Sequence, residues 1–497
     1  MTHRPLITAL LAFLFALPAQ ADDVLKIGNL ALPEGRGVPH TAIGTPYFMI
    51  WPAVFDGLTV IGPDGEAKPM LAESWQPLNP TTWHFKLKPN LFFSNGEPVD
   101  ATAVVETFKT LATPEGLRWS VNNAYRGITG ARAIDALTVE VTTDPPDRLL
   151  PRRIGAIRIL PPKYWAQVGS EGFAKAPIGS GPYTVDSWTG ARIRMTANPT
   201  SWRKPKIPKL DVRELTEGTA RLQALLSGAI DIALYLNPED KAEVENAGGS
   251  VVTRSGGSVE VLSFITVKKS PLQDKRVRQA LNYAVDKQAI VDGLLGGVAV
   301  AASQPAPKGA FGRDEALKPY PYDPARAKAL LAEAGYEKGF SFTVEASSGG
   351  RGPTGSIAQK IAQDLAAVGV TMEIRSVPQS KIFRGAYDGS FEGEAFSMMY
   401  GSIPYMDALA SLRLHSCLWQ TPWNCTPAFA ERITKAYAAF DMAEREKLTR
   451  DLVRDIRDDA PALWLYEDVT MDGVAARVKN YRPVFSHIAY EDLELAK

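Results

Sequence analysis

Between residues 274 and 378 the chain repeats one pattern, a capped amphipathic helix followed by an extended apolar segment, and this pattern narrows the choice of fold most. Asp274 is placed to cap a helix whose inner face is Val277, Ala280, Leu281, Ala284 and Val285, at the spacing of one side of a helix. Asp286 caps the next helix, KQAIVDGLL, which Gly296 ends. Asp323 with Pro324 behind it opens a third, with Leu330 and Leu331 inside and Gly335 at its end. Residues 356–368 carry Ile357, Ile361, Leu365 and Val368 on one stripe, and the strand VTMEIRSV follows from Val370. Helix and strand in alternation predict an α/β protein with mainly parallel sheets. At 497 residues the chain exceeds the roughly 250–300 at which a single core stops growing, so at least two domains are expected. No long Gly/Ser linker and no short-period repeat occur, so the domains are joined by short crossovers.

The first half adds strands. Residues 24–30 and 137–142 alternate, as do residues 82–88, where Trp83, Phe85 and Leu87 share a face. Asp100 is positioned to cap a helix with Val104, Val105, Phe108 and Leu111 on its stripe. Ahead of all this, residues 1–21 combine Arg4, an apolar run from Leu6 to Leu17, and Ala19-Gln20-Ala21 before Asp22. That is the pattern of a secretory signal, and the run is short of the ~20 residues that span a bilayer. Export makes a local disulfide between Cys417 and Cys425 the favoured reading of HSCLWQTPWNC. His415 alone beside them is too little for a zinc site, which wants four ligands.

Lys+Arg and Asp+Glu are both 55, so the net charge is zero, which argues against electrostatic capture of nucleic acid or of an anionic membrane. The histidines at 3, 40, 84, 415 and 487 form no H-E-x-x-H, and there is no G-x-x-x-x-G-K-[ST] or G-x-G-x-x-G. Gly179-Ser180-Gly181 lacks the nucleophile-elbow form, and the S-x-x-K at Ser201–Lys204 has no K-T-G behind it. No motif supports an enzyme, a metal centre or a cofactor; an exported hydrolase is the minor alternative.

Four strings carry a resemblance: LAESWQPLNPTTWHFKLKPNLFFSNGEPVDATAVVETF (71–108), PIGSGPYTVDSW (177–188) with NPTSWRKPKIPKLD (198–211) behind it, PLQDKRVRQALNYAVDKQAIVDGLLGG (271–297) and YPYDPARAKALLAEAGY (320–336). In this order they resemble the family 5 extracellular solute-binding proteins, the dipeptide/oligopeptide/nickel-type receptors of ABC importers. The resemblance implies a two-lobed periplasmic-binding-protein-like fold with a hinge. Lobe I would be residues 22–60, 180–263 and 469–497, with an extra subdomain at 61–179; lobe II would be 264–468. Crossovers are expected near residues 262–266 and 465–470. It also implies a periplasmic receptor, monomeric by family default, that takes a peptide or modified amino-acid ligand, or an opine or sugar conjugate, to an inner-membrane ABC permease. Closure would be a hinge motion that the ligand stabilises by touching both lobes.

The resemblance places ligand-facing residues in three segments. Gly44 and Thr45 match a segment whose backbone and hydroxyl face the ligand, with Glu34, Arg36 and Tyr47 nearby. Arg351, in the glycine-rich loop 347–355, matches an arginine that pairs with a ligand carboxylate, as a guanidinium suits. Tyr400, Gly401, Ser402 and Tyr405 form a hydroxyl-rich aromatic wall. Where peptide receptors hold an aspartate for the ligand's amino terminus, this chain has Ser402, with Asp407 further on; if Asp407 caps the next helix, the ammonium clamp is absent. Trp419 and Trp423 are open between core, rim and ligand stacking.

Overall fold

The aspartates that open helices in the sequence do so in space. Asp100 accepts the Ala103 N–H, Asp274 that of Arg276, Asp286 that of Ala289 and Asp323 that of Arg326, each satisfying an orphan donor of the first turn. The computed structural model describes residues 23–496 except 34, 43, 45, 349–352, 404 and 486, and of Asn123 the backbone alone. The expected signal segment therefore lies outside the described residues. None of the described helices is long and apolar enough to cross a membrane.

Among the described residues one sheet has eleven strands: β1 Val24–Asn29, β2 Tyr183–Trp188, β3 Arg192–Ala197, β4 Lys209–Glu214, β5 Ile232–Leu236, β6 Ser250–Phe264, β7 Val300–Ala301, β8 Phe340–Ser348, β9 Val370–Pro378, β10 Ala395–Gly401 and β11 Ala462–Val474. Their order is β9-β8-β10-β6-β11-β5-β1-β4-β3-β2, with β7 added to β11. Parallel pairing is confined to β1 with β4 and β5, and β8 with β9 and β10; the other ladders are antiparallel. The expectation of mainly parallel sheets is thus corrected to a mixed sheet. Helix–strand alternation marks the parallel pairs locally but says nothing of the long antiparallel strands that join them.

Two long strands carry the chain between the lobes. Residues 250–255 of β6 pair with 474–469 of β11, and 259–263 pair with 467–462. Between these runs the register breaks, at Gly256 and Gly257. A Cβ on Gly256 would sit 2.0 Å from the Asp468 carboxylate; one on Gly257, whose φ is +70°, would meet Ile403 at 2.2 Å. On the lobe I side, β1, β4 and β5 build a core with Leu25, Ile27, Val212 and Ile232. The extra subdomain joins that core through an antiparallel sheet of four strands, where Trp83, Phe85 and Leu87 point inward as their alternation predicts. On the lobe II side, the capped helices bury Val277, Leu281, Ile361 and Leu365 on β8 and β9, and a neighbouring cluster gathers Tyr400, Leu409 and Trp464.

Candidate functional site

The cleft between the lobes is built from three lobe I segments and one from lobe II. In the first, Gly44 has φ +111°, and its carbonyl accepts the N–H groups of Tyr47 and Phe48 at 2.9 and 3.1 Å, so the chain turns sharply into a short 3-10 helix. The second is the run LPRRIGAIRI at 150–159, which buries Ile154, Ile157 and Ile159 and carries Arg152 and Arg158 toward the cleft. A tight turn at Val484 and His487, closed by two mutual backbone hydrogen bonds, supplies the third. From lobe II comes the loop after β10, where Ser402 donates its N–H to the Gly257 carbonyl at 2.8 Å and Met406 takes φ +51°.

These segments line a solvent-open cavity of about 70 Å³, walled by Phe48, Phe485, Ile403 and Met406. Among the described residues its charged or titratable lining is Arg152, Arg158 and His487, with no carboxylate. Arg152 bridges the lobes: it donates to the Met406 carbonyl at 2.9 Å, pairs with Glu66, and lies 5.4 Å over the Phe311 ring. Burial, with the Arg203 and Arg158 charges beside it, holds the His487 imidazole well below its ordinary pKa and hence neutral. The lobes also meet where Arg148 sits between Trp83 and Phe440, at 5.3 and 5.1 Å.

The residues singled out in the sequence divide by placement. Gly44 and Gly401 face open space, since a Cβ on either would meet nothing within 4 Å. Ser402 is fully buried, and its hydroxyl has no hydrogen-bond partner among the described residues. Tyr405 reaches from lobe II onto the lobe I core, with its hydroxyl buried and likewise unpartnered; burial pushes that hydroxyl's pKa up to about 12. Tyr47 is half-buried beside the cavity residue Phe48, and Arg36 is exposed, with φ +48°. Tyr400 is 1% exposed, stacked on His415 at 3.6 Å and edge-on to Trp464 at 4.9 Å, so its ring packs in the core. Glu34, Thr45 and Arg351 lie outside the described residues.

Asp407 is the N-cap of the helix Ala408–Leu414, accepting the Leu409 N–H at 3.0 Å. Cys417 and Cys425 are joined in a disulfide. Trp423 is buried edge-on against Phe396 and His415, and the Trp419 indole donates to the Ala386 carbonyl, so both belong to packing. His415 is buried against the Met399 carbonyl, and burial lowers its pKa to about 3. No group of three or more His, Cys, Asp or Glu able to hold a metal occurs among the described residues. The cavity residues that sequence reasoning missed are Phe48, Arg152, Arg158, Phe485 and His487. Only Arg158 left a signal, as a lone charge in the apolar run IGAIRILPP.

The pattern described as "Bacterial extracellular solute-binding proteins, family 5 Middle" matches residues 66–414. The chain is 28% identical to the nickel-binding periplasmic protein of Escherichia coli (strain K12), over 100% of this chain and 99% of that one. It is 27% identical to the glutathione-binding protein GsiB of Pectobacterium atrosepticum, covering 96% and 95%. The structure of the PBP AgaA from A. tumefacien R10 in complex with agropinic acid superposes with TM-score 0.74 at 24% identity, over 95% of this chain and 99% of that one.

Proposed function

Because the chain belongs to the bacterial extracellular solute-binding proteins of family 5, we propose that it is a periplasmic receptor of an ABC importer, exported by the signal at residues 1–21. It captures a small ligand between its lobes, closes about a hinge, and presents the closed form to an inner-membrane permease. The ligand is a peptide or modified amino-acid compound, and the protein acts as a monomer that returns its ligand unaltered. The observation that carries this reading is the solvent-open cavity walled by Phe48 and Phe485 of one lobe and Ile403 and Met406 of the other. A ligand there touches both lobes only when they are together, which is the differential contact that closure requires.

The hinge is assigned to residues 255–259 of β6 and 467–469 of β11. The break in ladder register between Ser255 and Val259 supports that position, several residues before the crossover expected at 262–266. The lobe boundaries remain as proposed from the sequence. Arg351 is retained as a carboxylate partner, Glu34, Arg36, Gly44, Thr45 and Tyr47 as ligand-facing groups of the first loop, and Gly401, Ser402 and Tyr405 as the opposite wall.

A second reading, an opine or sugar conjugate, is favoured by Asp407, whose carboxylate caps a helix and is not free to hold a ligand ammonium. The resemblance to the AgaA complex with agropinic acid is consistent with it. The test is a melting-temperature screen across peptides, opines, oligosaccharides and nickel chelates. Several degrees of stabilisation by one class, with the compound recovered intact, is the expected result. Conversion of a bound compound, or no stabilisation by any class, would overturn the receptor reading.

A further inference from the structure

Arginines in this interior have partners, with one exception. Arg203 pairs with Asp56 at 2.6 Å and Glu491 at 2.8 Å, Arg254 with Asp472 at 3.0 Å, and Arg152 with Glu66. Arg158 is only 5% exposed, yet its guanidinium makes no hydrogen bond to any described residue, and its Nε is fully enclosed. The carboxylate whose charge it senses, Asp56, is engaged by other groups and makes no hydrogen bond to it. One oxygen takes Arg203; the other accepts the Ser180 hydroxyl at 2.8 Å and the Trp202 indole N–H at 3.1 Å. A buried charge is normally paired, because leaving one alone loses several kcal/mol of solvation.

Arg158 also lies on the wall of the interlobe cavity, where the other charged group, Arg152, is already engaged and His487 is neutral. Burial lowers the Arg158 pKa only to about 10, so it is charged at neutral pH. Among the described residues the cavity lining thus holds one positive charge with no ion-pair partner, beside Phe48, Ile403, Met406 and Phe485.

We propose that Arg158 is the anion-reading group of this site, and that the ligand presents a carboxylate to it on an apolar body packed between the four apolar walls. A guanidinium in a water-poor pocket offers parallel N–H donors to the two oxygens of a carboxylate. This rests on the receptor reading given above and deepens it by naming the ligand class.

The experiment compares N-acetyl-leucine with N-acetyl-leucinamide, matched in shape and differing in the carboxylate, by calorimetry on the full chain and on Arg158→Met and Arg158→Lys. The acid is expected to bind the native protein at least tenfold more tightly than the amide. Arg158→Met should remove that preference, and Arg158→Lys should keep part of it. Without ligand, Arg158→Met should melt at or above the native temperature, because it removes an unpaired buried charge. Equal affinity for acid and amide, a preference that survives Arg158→Met, or no binding of either compound would overturn the proposal. So would a fall of several degrees in unliganded Arg158→Met, which would assign Arg158 to the scaffold. Failure here, alongside stabilisation by some other class in the wider screen, rejects the anion site and leaves the receptor reading standing. A blank screen rejects the reading itself.

Discussion

The Asp407 carboxylate lies 3.3 Å from the Arg445 guanidinium, both buried, and burial raises the Asp407 pKa while Arg445 opposes the rise. Together with the helix cap it makes at Leu409, this pair keeps the Asp407 carboxylate engaged within the fold. Removing one member of a buried pair strands the other, at a cost of about 3–5 kcal/mol. Asp407→Ala should therefore lower the urea midpoint markedly, whereas Asp407→Asn, which keeps a capping oxygen, should lower it less. Equal midpoints for Asp407→Ala and the native protein would remove the pair from the stability argument.

The same geometry bears on ligands. A dipeptide with a free amino group should shift the melting temperature little, and a compound of similar size without the amine should shift it by several degrees. A micromolar dissociation constant for a free dipeptide would reverse the assignment of Ser402 and Asp407.

The turn at Gly65 packs against the backbone at Gly309. Gly65 has φ +76°, and a Cβ there would fall 1.9 Å from the Gly309 carbonyl oxygen, a backbone atom that cannot swing away. Gly65→Ala should hold the lobes apart and weaken ligand binding tenfold or more, while the unliganded protein loses on the order of 1 kcal/mol from the strained backbone. Small-angle scattering with and without ligand would reveal it; full compaction of the variant would refute the contact.

Acid should weaken the fold from about pH 6.5 downward through the buried histidines. Burial lowers the pKa of His40 from 6.5 to about 4 and that of His415 to about 3, and His487 moves the same way. Unfolded, each takes a proton near pH 6.5; folded, none does until far lower. The unfolded state therefore binds more protons below pH 6.5. Stability is full above that pH and falls toward pH 4 by up to about 1.4 kcal/mol per pH unit per histidine. Denaturation midpoints at pH 7.5, 6 and 5 measure the slope, and His415→Phe should lessen it by about a third. A flat profile would contradict the buried, neutral histidines.

The disulfide closes a short loop of lobe II. Loop-closure entropy for a loop of this length gives about 2–3 kcal/mol. The double variant Cys417→Ser, Cys425→Ser should lose that much in urea titration while leaving the loop's indole anchor, Trp419 to Ala386, in place. An unchanged midpoint would place the bridge outside the cooperative unit.

What could be read in advance was local. Asp100, Asp274, Asp286 and Asp323 announce helices because a cap and its stripe lie within a dozen residues. The two cysteines were legible for the same reason. Pairings over long separations were not: β6 and β11 meet across some 200 residues, and nothing in either segment names the other. The burial of Tyr400 is set by His415 and Trp464, which the residues beside it in the chain do not announce. Arg158 carries a charge within an apolar run, but the want of a hydrogen-bond partner among the described residues depends on Asp56, a hundred residues away, which is engaged by Arg203 and Ser180.

The strands β6 and β11 run through both halves: β11 pairs with β5 at one end, β6 with β10 at the other, and the two pair with each other on both sides of Gly256. Neither half can melt without unzipping hydrogen bonds that continue into its neighbour. Heat should thus denature this two-bodied molecule in a single calorimetric peak, with the enthalpy of the whole chain in it.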